Sequence, residues 1–386
     1  MHYRHTYNIE DLHRAARQRL PRMCFDWLEG GAEDHVTWLR NREIFEQYRF
    51  RPHVMVDVGG RSQQVGLFGK TFEAPFGLAP VGAAGLYSHR ADVALARAAR
   101  DAGIPFVLST ASFDPLEEVA KAAEGGTLWF QLYMSKNRET AGKLVRRAFD
   151  AGFEALVVTG DVAVIGNREY NKHNRFSVPF RMNMPTVVDG LLHPRWLFGV
   201  FLKTLMHSGV PRYHNDESPP GSQAVTKESV ASFQARRDEI DWADVQWLRD
   251  RWPRKLFVKG VLRADDALAA QRHGADGVFV SNHGGRALDG AVSSLEVLAE
   301  IRAAVGPAMK VMIDSGFRRG TDVVKALALG ADMVFVGRAT LYGLAAGGEP
   351  GVRHAIALLR SEIDRTLAQL GCRSIADIAP DMLRGA

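Results

Sequence analysis

The chain has 386 residues, of which 46% are hydrophobic and 24% charged, values typical of a soluble protein with a large core. The net charge of +5 is mildly basic and suits acidic metabolites or anionic lipid as partners, whereas the lack of a long Lys/Arg run argues against nucleic acid. Two cysteines, Cys24 and Cys372, provide neither a disulfide framework nor metal-ligand spacing, which favours a reducing compartment and no metal. We expect no signal peptide and no membrane-spanning helix, because no apolar stretch suits either.

The first part of the chain predicts a helical cap over about residues 1–73. Residues 8–50 suit two or three helices, with a break at Leu20-Pro21 and a stop at Gly30-Gly31. Residues 51–73 suit a turn and short strands.

From residue 76 to about 372, short apolar runs alternate with helical patterns. The eight runs are Phe76–Pro80, Phe106–Ser109, Leu128–Tyr133, Ala155–Thr159, Leu256–Lys259, Val278–Ser281, Val311–Asp314 and Val334–Gly337. The helices are expected near 91–102, 115–124, 137–151, 264–273, 292–304, 319–329 and 350–371. This alternation predicts a parallel (β/α)8 TIM barrel over about residues 74–372, within a single domain of residues 1–386.

The alternation is interrupted once, by a long insertion after strand four at about residues 160–240. Such a length exceeds ordinary loops and indicates a functional insertion, a lid or a disordered segment, with Pro219–Ser222 the most flexible part. Residues 190–215 are apolar, aromatic and basic, with no acidic residue. They suit either a membrane-interface segment or a lid helix packed on the barrel or on a neighbouring subunit.

Ser281–Arg286 follows the sixth apolar run, at the strand end where barrels carry their chemistry. His283 is a candidate general base, and Arg286 a cation whose geometry suits a carboxylate. The glycines at 284 and 285 would let the backbone approach a flat cofactor. After strand four, Asp161 could orient His283, and Arg168 could complete a two-cation clamp.

Other strand ends predict a cofactor site. Lys259 suits stabilising negative charge on a reduced ring, with a Schiff base as the rival role. Residues 314–320 and Gly337-Arg338 follow strands seven and eight, where barrels commonly bind phosphate. Neither a Walker loop nor a Gly-x-Gly-x-x-Gly motif stands out, so a mononucleotide is favoured over ATP or NAD.

Taken together, these stretches resemble the FMN-dependent L-2-hydroxy acid oxidising family over about residues 5–383. The resemblance rests on Ser281–Arg286 and on further matching stretches: Leu20-Pro21, residues 30–34, Trp129–Tyr133, Asp314–Asp322 and Lys325–Gly330. It implies that His283 is the catalytic base, that Asp161 is its partner, and that Tyr133, Arg168 and Arg286 hold the substrate. It also implies FMN binding by Pro80, Gly82, Ser109, Gln131, Thr159, Lys259, Ser281, Asp314, Gly316, Arg318, Gly337 and Arg338.

Within the family, the likeness is strongest to the membrane-associated mandelate dehydrogenases, on residues 26–34, His173–Phe176 and Leu192–Trp196. Trp27 stands where many members have a tyrosine that binds the substrate carboxylate, so we expect Trp27 to shape the substrate pocket. The resemblance implies a homotetramer, membrane contact through about residues 177–215, and a peripheral location on the cytoplasmic side of an inner membrane.

The expected reaction is FMN-dependent oxidation of an L-2-hydroxy acid, with (S)-mandelate to benzoylformate leading and a membrane quinone as electron acceptor. An L-lactate dehydrogenase or an oxygen-using oxidase is the alternative. An FMN-dependent isomerase leaves the paired Arg168 and Arg286 without a role, and a non-catalytic flavin-binding protein would not be bleached by a hydroxy acid.

Overall fold

A computed structural model describes residues 2–134, 137–174, 176, 180–181, 183–215, 223–226 and 239–385. Eight parallel strands close into a barrel in chain order, so the predicted TIM barrel is confirmed. The strands are Phe76–Leu78, Phe106–Ser109, Leu128–Leu132, Ala155–Thr159, Lys255–Val261, Gly277–Val280, Lys310–Ile313 and Met333–Val336. Every one begins or ends within a few residues of the apolar run that predicted it.

Helices cover the outside of the barrel. They are Ala91–Asp101, Leu116–Ala122, Arg138–Asp150, Trp242–Arg249, Ala264–Arg272, Ser294–Val305, Gly320–Ala328, Arg338–Gly347 and Glu349–Leu370. The sequence reading missed Trp242–Arg249 and Arg338–Gly347. The second of these helices begins at a strand-end glycine and ends in a glycine pair, so its termini resemble loop sequence.

The barrel interior is filled by large side chains from alternate strand positions, which makes it a packed core rather than a channel. Trp129 stacks on Phe257 at 4.9 Å, and Phe279 lies 4.8 Å from Phe335 between ring centroids. A hairpin of Val65–Leu67 and Lys70–Phe72 joins this interior cluster through Leu67 and Phe72. These side chains fill the barrel below the strand ends, where Ala79 and Phe335 of the same cluster line a pocket.

The N-terminal segment contains three helices, Ile9–Arg19, Arg22–Glu29 and Val36–Glu43. A short strand that follows them, Tyr48–Phe50, pairs antiparallel with Leu383–Gly385 and ties the two ends of the chain together. This pairing was not predicted, because strands of three residues carry little periodic signal.

The insertion after strand four contains the helices Glu169–His173, Met184–Leu192, Pro194–Trp196 and Lys203–Ser208, a π-helical turn at Leu197–Leu202, and the short strands Arg212–Tyr213 and Gln223–Ala224. One face packs on the barrel: Trp196 is buried, and its indole donates a hydrogen bond to the Leu86 carbonyl at 2.8 Å. Residues 219–222, expected to be the most flexible part, lie outside the described residues. Within the described part of the chain, no helix has both the length and the apolar character needed to cross a membrane.

Candidate active site

Barrel register brings polar residues of neighbouring strands side by side at the carboxyl ends. Ser109 pairs with Gln131, and Lys259 pairs with Thr159. The side chains of Ser109, Gln131 and Thr159 form a hydrogen-bonded row, with distances of 3.0 Å and 2.8 Å. The row fixes the Gln131 amide, which lines the pocket above the barrel.

His283 and Asp161 meet above strands six and four. Nδ1 of His283 lies 2.9 Å from Oδ1 of Asp161, and Nε2 lies 3.4 Å from the Tyr133 hydroxyl. His283 adopts a left-handed backbone with φ of +57°, an uncommon conformation that recurs at functional sites. Because Asp161 accepts from Nδ1, the tautomer it selects leaves Nε2 as a proton acceptor facing the pocket.

Two glycines are required by close approaches around this pair. Gly260 has a φ of +104°, and a Cβ there would lie 2.4 Å from the Asp161 Cβ. A Cβ on Gly285 would lie 2.7 Å from the Trp38 backbone nitrogen. Gly284 and Gly285 were both expected to let the backbone approach a cofactor. Gly284 does line the pocket, but Gly285 instead lies close to the N-terminal cap.

Electrostatics keep His283 neutral and Asp161 ionised. Burial lowers the pKa of His283, and it outweighs the opposing effect of the Asp161 carboxylate. Burial alone would raise the pKa of Asp161, but His283 and Lys259 bring it below its ordinary value. A neutral imidazole beside a carboxylate can accept a proton and then be stabilised as the cation.

Three arginines line this pocket: Arg168, Arg286 and Arg338. Among the residues that the structure describes, no carboxylate forms an ion pair with any of them. Burial first, and then Arg286, lower the pKa of Arg168 to about 9. Its Nε atom is buried and has no hydrogen-bond partner among those residues. Such a cluster of cations is suited to an anionic ligand.

A second part of the pocket combines Arg318 and Arg338 with a network behind them. Arg318 donates to the Tyr342 hydroxyl at 3.1 Å, and that hydroxyl donates to Glu29 at 2.6 Å. Burial would raise the pKa of Glu29, but His13 and the two arginines help to lower it to about 2. Glu29 is therefore a carboxylate that orients the arginine side of the pocket.

Lys259 is buried in the pocket floor. Its Nζ donates to Ser281 Oγ at 2.6 Å and lies 3.1 Å from Oδ2 of Asp314. Burial would lower the pKa of Lys259, but Asp314 and Asp161 raise it above its ordinary value. The side chain is therefore a fixed ammonium, which does not favour the rival Schiff-base role, since that needs a neutral amine.

Most of the predicted site residues line one pocket. These are Trp27, Pro80, Gly82, Tyr133, Gln131, Thr159, Arg168, Lys259, His283, Arg286, Asp314, Gly316, Arg318, Gly337 and Arg338. Ser109, Ser281 and Asp161 stand behind it and contact Gln131, Lys259 and His283, respectively. Sequence reasoning missed Tyr87 and Tyr213, which also line the pocket; neither lies in a motif that would have singled it out.

The fold and this constellation define a barrel enzyme that handles an anionic substrate beside an anionic cofactor. The chain belongs to the FMN-dependent dehydrogenase family, whose model matches residues 16–385. It is accordingly an FMN-dependent enzyme, and the predicted flavin cofactor is confirmed.

Relatives share the architecture over nearly the whole chain. The chain is 48% identical to (S)-mandelate dehydrogenase of Pseudomonas putida, covering 98% of this chain and 94% of that protein. It is 40% identical to L-lactate dehydrogenase of Xanthomonas campestris pv. campestris, covering 97% and 95%. A crystal structure described as the monotopic membrane protein (S)-mandelate dehydrogenase superposes with a TM-score of 0.93, at 48% identity, covering 99% of this chain and 100% of that one.

The pocket fits FMN by the chemistry of its lining. Arg318 and Arg338 follow strands seven and eight and line the pocket, at the place where barrels commonly bind a phosphate. The Lys259 ammonium and the Gln131 amide suit the polar edge of a flavin ring. The same pocket is also lined by Arg168, Arg286, Tyr133 and His283.

Proposed function

We propose that this enzyme oxidises an L-2-hydroxy acid to the corresponding 2-keto acid, with (S)-mandelate and benzoylformate as the leading pair. The main support is the pairing of a neutral His283 with two guanidinium groups, Arg168 and Arg286, around one pocket. The relatives named as mandelate and lactate dehydrogenases support the same class of substrate.

In this proposal, Arg168 and Arg286 bind the substrate carboxylate, and the Tyr133 hydroxyl orients the substrate beside Nε2 of His283. His283 accepts one proton at Nε2, and Asp161 stabilises the imidazolium that results. Bound FMN would supply the acceptor for the two electrons and for the second hydrogen that the substrate loses. Orientation before bond breaking can contribute on the order of 7–11 kcal/mol in the best intramolecular models.

An aromatic substrate is favoured by the apolar side chains that surround the anion site. Trp27, Tyr87, Val162, Ile165 and Tyr213 line the pocket together with the arginines. These side chains provide a surface for a phenyl group, whereas lactate would leave much of that surface without contact. L-lactate is the second candidate, on the strength of the named relative.

Anaerobic reduction of the flavin tests the reaction. The purified yellow enzyme is mixed with (S)-mandelate, L-lactate and glycolate, and the flavin absorbance is followed. We expect bleaching by L-2-hydroxy acids, fastest with (S)-mandelate. If none of them bleaches the flavin, the proposed reaction is wrong, and bleaching fastest with L-lactate would reassign the substrate.

A substitution tests the base. His283→Gln removes the proton acceptor but preserves a polar side chain, so the flavin should stay bound and oxidised with every substrate. Flavin reduction at the wild-type rate in this variant would falsify the assignment of His283.

We also propose that the segment of about residues 177–215 docks on a membrane and that electrons pass from there to a quinone. The side chains of Met184, Leu192 and Phe198 are 74%, 73% and 65% exposed, although all three are apolar. Arg195 and Lys203 lie in the same segment and suit anionic headgroups. The relative described as a monotopic membrane protein supports this placement.

Co-sedimentation with anionic vesicles tests docking, with the double variant Leu192→Ser/Phe198→Ser as the matched comparison. We expect the wild-type protein in the pellet and the variant in the supernatant, both with bound flavin. Wild-type protein that stays in the supernatant would rule docking out. Reoxidation of the reduced flavin by a soluble quinone, compared with oxygen, separates a dehydrogenase from an oxidase.

We further propose a homotetramer on a cytoplasmic membrane surface, as the family resemblance implies. Light scattering of the detergent-solubilised holoenzyme measures the subunit number. A monomeric mass would contradict this assembly.

A further inference from the structure

Trp27 lies against both arginines of the carboxylate site. The centroid of its ring is 5.0 Å from Cζ of Arg168 and 5.4 Å from Cζ of Arg286. Both distances are within the range of about 6 Å in which an aromatic face attracts a cation. One indole thus contacts two guanidinium groups that repel each other.

The two arginines differ in how they are otherwise held. Arg286 Nη1 donates to the main-chain carbonyls of Trp27 and Gly30, each at 2.9 Å. Arg168 has a buried Nε atom with no hydrogen-bond partner among the described residues, and burial and Arg286 lower its pKa to about 9. Tyr170 and Tyr133 favour the charged form of Arg168, and the indole face is a further contact that offsets the cost of holding Arg168 charged beside Arg286.

The indole is itself fixed by the start of the insertion. Phe176 is buried and packs on Trp27 with 5.1 Å between ring centroids. The neighbouring Asp26 carboxylate accepts a hydrogen bond from Asn174 at 2.9 Å. Trp27 thus joins the N-terminal cap, the insertion that carries Arg168, and the strand-six loop that carries Arg286.

We propose that Trp27 is a positioning residue that acts through its aromatic face, holding Arg168 and Arg286 in the arrangement that receives the substrate carboxylate. This role rests on the proposed oxidation of a 2-hydroxy acid. It differs from that of a side chain that donates a hydrogen bond to the carboxylate, because the ring acts on the arginines and not on the substrate. Phenylalanine, which has a ring and no donor, should therefore substitute in part for tryptophan.

The test compares Trp27→Phe, Trp27→Tyr and Trp27→Leu in the flavin-loaded enzyme. The main chain at residue 27 is retained in each, so the carbonyl that binds Arg286 is preserved. Binding of benzoylformate and of the uncharged mandelamide is measured by perturbation of the flavin spectrum, without turnover. We expect the Kd for benzoylformate to rise about tenfold in Trp27→Leu and about threefold or less in Trp27→Phe, from the usual strength of such contacts.

The uncharged ligand separates positioning of the arginines from general loss of packing. Mandelamide should bind the wild type and Trp27→Leu with Kd values within about twofold, since it lacks the charge that the arginines recognise. With a reacting substrate, KM should rise in Trp27→Phe while the rate of flavin reduction at saturation changes less. Trp27→Tyr should likewise raise the Kd for benzoylformate less than Trp27→Leu does, because a phenol also presents an aromatic face.

Three results would overturn the role of Trp27. One is an unchanged Kd for benzoylformate in Trp27→Leu, and another is an equal loss for benzoylformate and mandelamide in Trp27→Leu. The third is a rise of about tenfold or more in the Kd for benzoylformate in Trp27→Phe, a result that decides the case even if Trp27→Leu loses its flavin. Failure of every hydroxy acid to reduce the wild-type flavin would instead overturn the proposed reaction, so the two failures are distinguishable.

Discussion

His283 Nδ1 lies 2.9 Å from Asp161 Oδ1, although the two residues are 122 positions apart in the chain. Strands four and six, which they follow, are both neighbours of strand five in the barrel, and Lys259 of strand five lies close enough to lower the pKa of both residues. The second Asp161 oxygen, Oδ2, is buried without a hydrogen-bond partner among the described residues. Asp161 is therefore held as a carboxylate by charge more than by hydrogen bonds.

Asp161→Asn is expected to slow flavin reduction by on the order of 10²–10⁴, the usual range for general base catalysis. The pH dependence gives a second expectation. The folded-state pKa of His283 is already below 6.5, so reduction by wild type should be constant above pH 6.5 and fall as the pH drops through that lower value. Since Asp161 raises the pKa of His283, its removal should move this fall to still lower pH.

Stopped-flow measurement of anaerobic flavin reduction between pH 5 and 8 checks both expectations. Asp150→Asn is a suitable control, because Asp150 is an exposed carboxylate at the end of the third barrel helix. A fall that moves to higher pH in Asp161→Asn would contradict the electrostatic relationship.

Lys259→Met should destabilise the protein, because it leaves the buried Asp314 carboxylate without its cation 3.1 Å away. Breaking one side of a buried ion pair costs about 3–5 kcal/mol. The double variant Lys259→Met/Asp314→Asn should regain part of the loss, and only part, since Asp161 also interacts with Lys259. Urea unfolding with excess FMN measures the three differences, and additive effects of the two substitutions would argue against a coupled pair.

Much of the site was predictable because apolar runs indicate the barrel strands. The residue that follows each run must lie at the carboxyl end of its strand, where the pocket is. Lys259 and Asp314 were found in this way, and parallel register accounts for the pairing of Lys259 with Thr159. Tyr213 could not be predicted, because it lies on a two-residue strand within the insertion, which is too short to give a periodic pattern. The contact of the Tyr342 hydroxyl with Glu29 joins residues 313 positions apart, and no local pattern encodes it.

Trp27 illustrates a different limit of prediction from sequence. The sequence identified the position through a resemblance and predicted that it shapes the substrate pocket, and the structure does find Trp27 in the pocket lining. The contact of one ring with two arginines depends on three separate segments of the chain meeting in the fold. Periodicity and motif spacing describe one segment at a time, so they could not predict this contact.

Glu29→Gln should lower the free energy of unfolding by about 1–3 kcal/mol at pH 7, because a charged partner of His13, Arg318 and Tyr342 is lost. The pKa of Glu29 is about 2 in the folded protein and 4.5 ordinarily. Its stabilising effect is therefore present above pH 4.5 and is lost as the pH falls from 4.5 towards 2. Urea unfolding at pH 7, 5 and 4 should show the gap between wild type and variant narrowing at pH 4, with the exposed Glu300→Gln as the control.

A buried carboxylate pair outside the site should have the opposite pH dependence. Asp92 lies in the first turn of the first barrel helix, where Ser112 Oγ donates to it at 2.6 Å. Asp114, just before the second barrel helix, accepts from the Asp92 backbone nitrogen at 3.0 Å. Burial first, and then the neighbouring Asp114, raise the pKa of Asp92 to about 8. Asn215 of the insertion donates to the Asp114 carbonyl at 3.2 Å, so the pair also supports the insertion.

Asp92 is protonated in the folded protein near neutral pH but ionised in the unfolded chain. Its contribution to stability therefore falls as the pH rises from about 3.8 to about 8 and is constant above that. Asp92→Asn removes this penalty and keeps an oxygen that can accept from Ser112. We expect the variant to be more stable than wild type at both pH values, and its advantage to be larger at pH 8 than at pH 6 by on the order of 2 kcal/mol. Urea unfolding at the two pH values, with Asp150→Asn as the surface control, measures the difference. An Asp92→Asn variant that is less stable by the same amount at both values would mean that Asp92 is ionised in the folded protein and stabilises it as a carboxylate.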